Sequence, residues 1–226
     1  MKRRPSSGTW PSSQWAVLLR TAARALANIP NARNVRWAFG GGSAIALRLG
    51  HRISYDADIF LYDAQVLGYL SPRLDNFSAE FAESYSESAN GLKIVTRYGD
   101  IDFVVATDVT PDAPIEERID EGAPVPTHSN AEILAKKVKY RGFAFTHRDV
   151  FDLAVLIDRE RTSVDHALAC CSRAEIEQTF DICLARAPRL AAELPDYVNP
   201  TRFGERYMRE AAGIVGTYID DWKRRR

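Results

Sequence analysis

The chain has 226 residues, of which 46% are hydrophobic and 27% charged, values typical of a globular protein with a substantial core. The formal net charge is zero, which excludes a uniformly basic nucleic-acid-binding surface and leaves local basic patches at 136–141 and 223–226. Its cysteines, Cys170, Cys171 and Cys183, form no CxxC pair, which argues against a disulfide framework or a structural zinc site.

The first half of the chain is predicted to alternate helices and strands. Apolar side chains recur at helical spacing before Pro30, and again along an aromatic stripe of Phe77, Phe81 and Tyr85. Apolar runs on either side of Gly99 predict a hairpin. The expected elements are helices at 14–29, 43–49 and 74–86 and strands at 35–39, 55–61, 92–98 and 101–106.

The second half is predicted to be helical. Residues 107–128 carry four prolines and many acids, which indicates a connector with one short strand. Helix-start signals follow at Ser129, Thr146 and Ser172, each with an acid three residues later, and Asn199-Pro200 is expected to begin the last helix. These signals predict helices to about 143, 157 and 188. We therefore expect an α/β (α+β) protein with a small mixed sheet in a front lobe, 14–112, and an all-helical C-terminal lobe, 113–226.

No apolar run approaches the roughly 20 residues of a membrane helix. The N-terminal apolar stretch is interrupted by Arg20 and Arg24, so it lacks the uninterrupted segment of a signal peptide. Together with the cysteine pattern, these features predict a cytoplasmic protein that does not contact a membrane.

A glycine turn leads into the helix at 43–49. Gly40, Gly41 and Gly42 precede Ser43, and backbone N–H groups at such a helix start can bind phosphate. Glycine turns also serve loop geometry alone. His51 and Arg52 follow the next helix stop, where they either reach the phosphate or lie on the surface.

Three aspartates point to a metal site. Asp56 and Asp58 alternate along one strand, so their carboxylates share a face at a spacing of roughly 7 Å. Asp102 is an acid inside an apolar strand and needs a partner, which a Mg²⁺ (or Mn²⁺) ion shared with the other two acids would supply. The alternatives are an edge strand with one polar face and an Asp102 paired with an arginine such as Arg97.

These motifs resemble those of a known family. The segments 41–47 and 50–60 are similar to the opening motif of AbiEii-type nucleotidyltransferase toxins, members of the DNA polymerase β-like superfamily, and 136–153 resembles a later lysine and Arg-Asp-x-x-Asp motif. The resemblance implies a nucleotidyltransferase-like front lobe and transfer of a nucleoside monophosphate from an NTP to an acceptor, which in some members is tRNA. It also implies a toxin with an antitoxin partner or a role in phage defence.

The resemblance assigns roles to particular residues. Asp56, Asp58 and Asp102 are the expected catalytic and metal-binding acids. The expected nucleotide-binding residues are Gly41, Gly42, Ser43, Lys136, Lys137 and Asp152. Lys139 is a further candidate for the family lysine, and the three lysines are not distinguished at this point. The alternatives are a catalytically inactive protein of the same fold that binds a nucleotide or a partner, and a metal-dependent hydrolase.

Overall fold

A seven-stranded mixed sheet forms the centre of the computed structural model, which describes residues 10–118 and 122–225. The strand order is β3-β4-β5-β2-β1-β7-β6. β2 runs parallel to β5, and β1 runs parallel to β7, whereas the other neighbouring strands are antiparallel. The strands are β1 Trp37–Gly40, β2 Ala57–Leu61, β3 Ser84–Ser88, β4 Gly91–Thr96, β5 Gly99–Val105, β6 Ile115–Glu117 and β7 Val125–Thr127.

Helices make up most of the described chain after β7. They are α1 Trp15–Ala27, α2 Gly41–Leu49, α3 Val66–Leu70, α4 Asn76–Phe81, α5 Asn130–Arg141, α6 His147–Arg159, α7 Arg161–Ala169, α8 Arg173–Glu193 and α9 Tyr207–Arg224. Short 3₁₀ turns lie at Ala32–Asn34, Gly142–Ala144 and Leu194–Asp196. The predicted fold class, a mixed sheet followed by a helical region, is confirmed. Within the described ranges, no helix combines the length and apolar character needed to cross a membrane.

Alternation along the strands separates an apolar face of the sheet from a polar one. On β2, Ala57, Ile59 and Leu61 are fully buried, while Asp58 and Phe60 on the other face are only partly buried. Helix α1 packs against β2 and β5, and its apolar stripe of Leu18, Leu19, Ala22, Ala25 and Leu26 is buried. The polar face is therefore left for the acids on which the functional prediction rests.

The predicted helix at 74–86 is wrong in its second half. Asp75 caps α4 through the backbone N–H of Ser78, and the helix ends at Phe81. Residues 84–88 instead form β3, the exposed edge strand that pairs with β4. The aromatic spacing that suggested one long helix crosses this boundary, because Tyr85 belongs to the strand.

Four differences lie in the second half. The connector contains two short strands, β6 and β7, which pair with each other and extend the sheet beyond β1. Helix α8 continues through Pro188 to Glu193. The last helix begins at Tyr207 and not at Asn199-Pro200, because Pro200 bridges Arg52 and the Asn199 carbonyl accepts the N–H of Ile53. α7 was not predicted.

Candidate active site

Strand register brings the predicted acids to one cavity. Asp58 lies directly beside Asp102 on the neighbouring parallel strand, and Asp56 lies just before β2 on the same side. All three line a cavity of about 160 Å³ together with Gly42 and Ser43 at the start of α2. One buried water needs only about 15 Å³ by the same kind of measure, so the cavity has room for an ion and phosphate oxygens.

The glycine turn fits closely against the acids. Gly41 has a φ of +62°, a left-handed conformation that favours glycine, and a Cβ there would collide with the Asp58 carboxylate. A Cβ on Gly42 would collide with the Arg52 guanidinium. No side chain caps the N-terminus of α2, so its first N–H groups remain oriented as an anion-binding site beside the acids.

Ser43 is engaged inside the protein. Its hydroxyl lies within hydrogen-bond distance of the Ser54 hydroxyl and donates to the backbone carbonyl of Asp56. The side chain is buried, and through it the helix start holds the loop that carries Asp56. This hydroxyl therefore fixes the position of the acid, while the Ser43 backbone N–H belongs to the helix start.

The acids crowd one another electrostatically. The pKa of Asp58 is raised to about 6, first by burial and then by the negative charges of Asp102 and Asp56. Burial also raises the pKa of Asp102, although Lys93 opposes the shift. Carboxylates that repel one another in this way form the oxygen donor set that a divalent cation neutralises, and the site therefore fits Mg²⁺ or Mn²⁺.

Lys93 is a site residue that the sequence interpretation missed. It lies beside Asp102 on β4, and its ammonium is 2.8 Å from Asp100 Oδ2 and 3.2 Å from Asp102 Oδ2. The partner of Asp102 is thus a lysine, and Arg97, the suggested alternative, lies over the Tyr98 ring. The predicted hairpin, with its turn at 99–100, would have paired Lys93 with Ala106, whereas the observed turn lies at Arg97 and Tyr98 and pairs Lys93 with Asp102.

The structure separates the three candidate lysines. Lys137 lines the cavity, bonds to Asp149 and lies 3.5 Å from Asp152. Lys136 is buried elsewhere, between Asp108 and Glu132. Lys139 is exposed beside Tyr140. Among the three, only the Lys137 ammonium is positioned to neutralise a phosphate at the helix start.

Asp152 lies at the back of the cavity and is paired inside the protein. Its carboxylate accepts hydrogen bonds from Arg52 at 2.7 and 3.0 Å and lies 2.9 Å from the His51 ring. Burial would raise the pKa of Asp152, but Arg52, His51 and Lys137 hold it well below its ordinary value. Arg52 also donates to the Gly42 carbonyl, so Asp152 fixes the glycine turn through Arg52.

His51 and Arg52 are both buried, so the interpretation of this pair as surface residues is wrong. Arg148 faces the cavity, 3.9 Å from Asp56. Asp149 caps α6 through Thr146 and binds Lys137. The cations of the site therefore come from both halves of the chain.

A second acidic cluster lies outside this cavity. Within the part of the chain that the structure describes, Asp108, His128 and Glu132 are the three potential ligands whose atoms all lie within 4.8 Å of one another. The Lys136 ammonium already lies 2.9 Å from Asp108 and 2.6 Å from Glu132. Because a lysine supplies the positive charge there, we do not assign a metal to this cluster.

Comparisons with known proteins identify the family and a similar fold. The profile of the family described as "Nucleotidyl transferase AbiEii toxin, Type IV TA system" matches residues 24–220. No curated protein matches the sequence. The fold is similar to that of the antibiotic-resistance factor ANT(2″)-Ia, with a TM-score of 0.52 and 17% identity over 74% of this chain and 92% of that chain. MenT4, a nucleotidyltransferase toxin from Mycobacterium tuberculosis H37Rv, matches with a TM-score of 0.45 and 14% identity over 88% of this chain and 83% of its own.

Proposed function

The chain belongs to the AbiEii nucleotidyltransferase toxin family, and from that premise we propose that it transfers a nucleoside monophosphate from an NTP to an acceptor hydroxyl, with release of pyrophosphate. The observation that carries the proposal is the meeting of Asp56, Asp58 and Asp102 with the N-terminus of α2 in one cavity. Phosphoryl transfer needs charge neutralisation and in-line positioning more than covalent chemistry. The acids, cations and helix start that line this cavity are groups suited to neutralising charge.

Each side of the cavity has its own task in this proposal. The backbone N–H groups of Gly42 and Ser43 bind the triphosphate, and Lys137 with Arg148 neutralises its charge. Asp102, beside Asp58, is the acid expected to accept the proton of the acceptor hydroxyl. Asp152 acts through Arg52 as a positioning residue and does not contact the nucleotide.

Asp56, Asp58 and Asp102 would hold Mg²⁺ (or Mn²⁺). The fit rests on their oxygen-only donor set and on the raised pKa of Asp58, which reflects burial first and then the neighbouring negative charges of Asp102 and Asp56. A bound divalent ion supplies Lewis-acid stabilisation of the phosphoryl oxygens during transfer. Two such ions are the arrangement common to phosphoryl-transfer sites.

The acceptor and the biological role belong to the same proposal. We take tRNA as the first acceptor to test and a protein antitoxin as the partner, because both are properties associated with the family. We also propose a cytoplasmic location, where NTPs and tRNA are available. Expression is expected to arrest growth, and co-expression of the product of a neighbouring gene is expected to restore it. Normal growth on expression of active enzyme would contradict the toxin role.

The direct test is a labelling screen with each NTP, Mg²⁺ and total RNA. We expect the wild-type protein to transfer label to one RNA class, and Asp58→Ala to lose transfer by at least about 1,000-fold while remaining folded. Asp220→Ala is the matched control, since Asp220 is an exposed acid on α9. Full incorporation by Asp58→Ala would refute the site assignment. Saturable NTP binding without transfer by the wild type would favour the inactive binding protein.

A further inference from the structure

Lys93 lies in a row of side chains that crosses the sheet. Its register partners are Ser86 on the outer strand and Asp102 on the inner one, and Asp58 follows beside Asp102. The ammonium contacts two carboxylates, Asp100 at 2.8 Å and Asp102 at 3.2 and 3.4 Å. A cation of the protein itself thus binds one of the three acids proposed to hold the metal.

We propose that Lys93 is a positioning residue that serves as a tethered counterion of Asp102, neutralising it in the metal-free enzyme and releasing it to the divalent ion. This inference rests on the proposed function. The ammonium keeps its closer contact with Asp100 throughout, so only the longer contact with Asp102 is exchanged. The Asp102 carboxylate has a positively charged neighbour both before and after this exchange, first the Lys93 ammonium and then the divalent ion.

The separation of the acids supports this exchange. Across residues 10–118 and 122–225, the atoms of Asp56, Asp58 and Asp102 do not form a cluster within 4.8 Å of one another, although all three line the same cavity. Asp102 is turned to Lys93, and its carboxylate is 28% exposed. In this proposal, movement of the Asp102 side chain away from Lys93 is the step that makes it available to the divalent ion.

The Lys93 side chain is exposed enough to move away from Asp102. Its side chain is 40% exposed, whereas the lysine of the second acidic cluster, Lys136, is 3% exposed and fully enclosed. An ammonium on a flexible four-carbon stem can move at little cost, and a divalent ion interacts with a carboxylate about twice as strongly as a single charge at the same distance.

The proposal predicts that removing Lys93 increases the metal affinity of the protein. Removing a positive charge a few ångströms from the site should strengthen metal binding by about tenfold, since the ion no longer competes with it. If Lys93 only held β4 and β5 together, its removal would weaken metal binding or leave it unchanged. The metal affinity thus separates a counterion from a purely structural residue.

The experiment measures Mn²⁺ binding by electron paramagnetic resonance in the absence of nucleotide. We expect Lys93→Met to bind Mn²⁺ about tenfold more tightly than the wild type, Lys93→Arg to remain close to the wild type, and the exposed control Lys139→Met to be unchanged. Urea unfolding of each variant checks that the fold is retained. Equal or weaker Mn²⁺ binding by folded Lys93→Met would overturn the inference.

The same titrations separate this inference from the proposed function. Asp58→Ala should abolish tight Mn²⁺ binding whether or not Lys93 competes for Asp102. If wild-type and Lys93→Met proteins bind Mn²⁺ equally while label transfer persists, the counterion role fails and the nucleotidyltransferase assignment stands. If Lys93→Met binds Mn²⁺ more tightly but no NTP supports transfer by the wild type, the assignment of activity fails and the counterion role stands.

Discussion

Replacing Asp58 with asparagine is expected to make the metal-free protein more stable while abolishing its activity. The pKa of Asp58 is raised from 3.8 to about 6 in the folded protein, by burial and by the charges of Asp102 and Asp56. At neutral pH the folded protein must therefore carry an ionised carboxylate that its surroundings disfavour. Asparagine has nearly the same shape and no charge, so it removes this penalty.

The pKa shift sets the size and the pH dependence of the effect. A rise of about two units corresponds to about 3 kcal/mol at pH 7.5, and because Asp58 is partly exposed we expect a measured gain of about 1–2 kcal/mol. The folded protein binds the Asp58 proton more tightly than the unfolded chain does, so this group lowers stability as the pH rises from about 4 to 6. The advantage of Asp58→Asn should therefore be largest above pH 7 and shrink toward pH 4.

The assay is urea unfolding with EDTA at pH 7.5 and 4.5. Asp149→Asn is the matched control, because Asp149 lines the same cavity but its pKa is lowered to about 2, where Lys137 and Arg141 outweigh burial. The free energy of unfolding of Asp149→Asn should be about 2 kcal/mol lower than that of the wild type at pH 7.5. Saturating Mg²⁺ should stabilise the wild type and not Asp58→Asn. A variant at position 58 that is no more stable than the wild type at pH 7.5, or whose gain is the same at both pH values, would refute the reasoning.

Three further outcomes are expected. Lys136→Met should lower the free energy of unfolding in urea by about 3 kcal/mol, because it removes the lysine charge beside buried Glu132, which keeps only its hydrogen bonds from Val109 and Thr110. Its Mn²⁺ affinity should stay unchanged, and stronger Mn²⁺ binding would instead indicate a metal site at that cluster. Gly204→Ala should lower the free energy of unfolding by about 1–3 kcal/mol and reduce transfer, since a methyl group would collide with the His51 carbonyl. A variant as stable and active as the wild type would show that this close contact is not needed. Mn²⁺ affinity should be constant above about pH 7 and fall up to tenfold per pH unit below about 6 as Asp58 is protonated, and a flat profile down to pH 5 would contradict the raised pKa.

Elements with local signals were predicted well. The glycine turn, the helix after it and the hairpin at Gly99 are specified by residues close together in sequence, and the structure has them within a few positions. Edge strand β3 was missed because it depends on pairing with β4, and its own composition, Ser-Tyr-Ser-Glu-Ser, carries almost no apolar signal. The start of α9 was misplaced because Pro200, a good first-turn residue, bridges Arg52 instead.

The acids of the site were accessible from the sequence, whereas their supporting contacts were not. An aspartate inside an apolar strand is conspicuous in any reading of the chain, as Asp102 shows. The contact between Arg52 and Asp152 joins residues 100 positions apart, and no local pattern pairs them. Lys93 is intermediate, because the hairpin itself was predicted but its turn lies at Arg97 and Tyr98, two residues earlier than expected, and only that register pairs Lys93 with Asp102.

The long-range contacts bear on how the chain is divided. The proposed boundary at residue 112 separates the acids and the glycine turn from Lys137, Arg148 and Asp152, yet these residues line one cavity. Asp152 on α6 holds Arg52, and Arg52 holds the carbonyl of Gly42, so the second half of the chain fixes the backbone that is proposed to bind phosphate. The acids alone could gather a cation, but a triphosphate needs the cations that come from α5 and α6. The two halves are therefore distinct in sequence character and inseparable in chemistry.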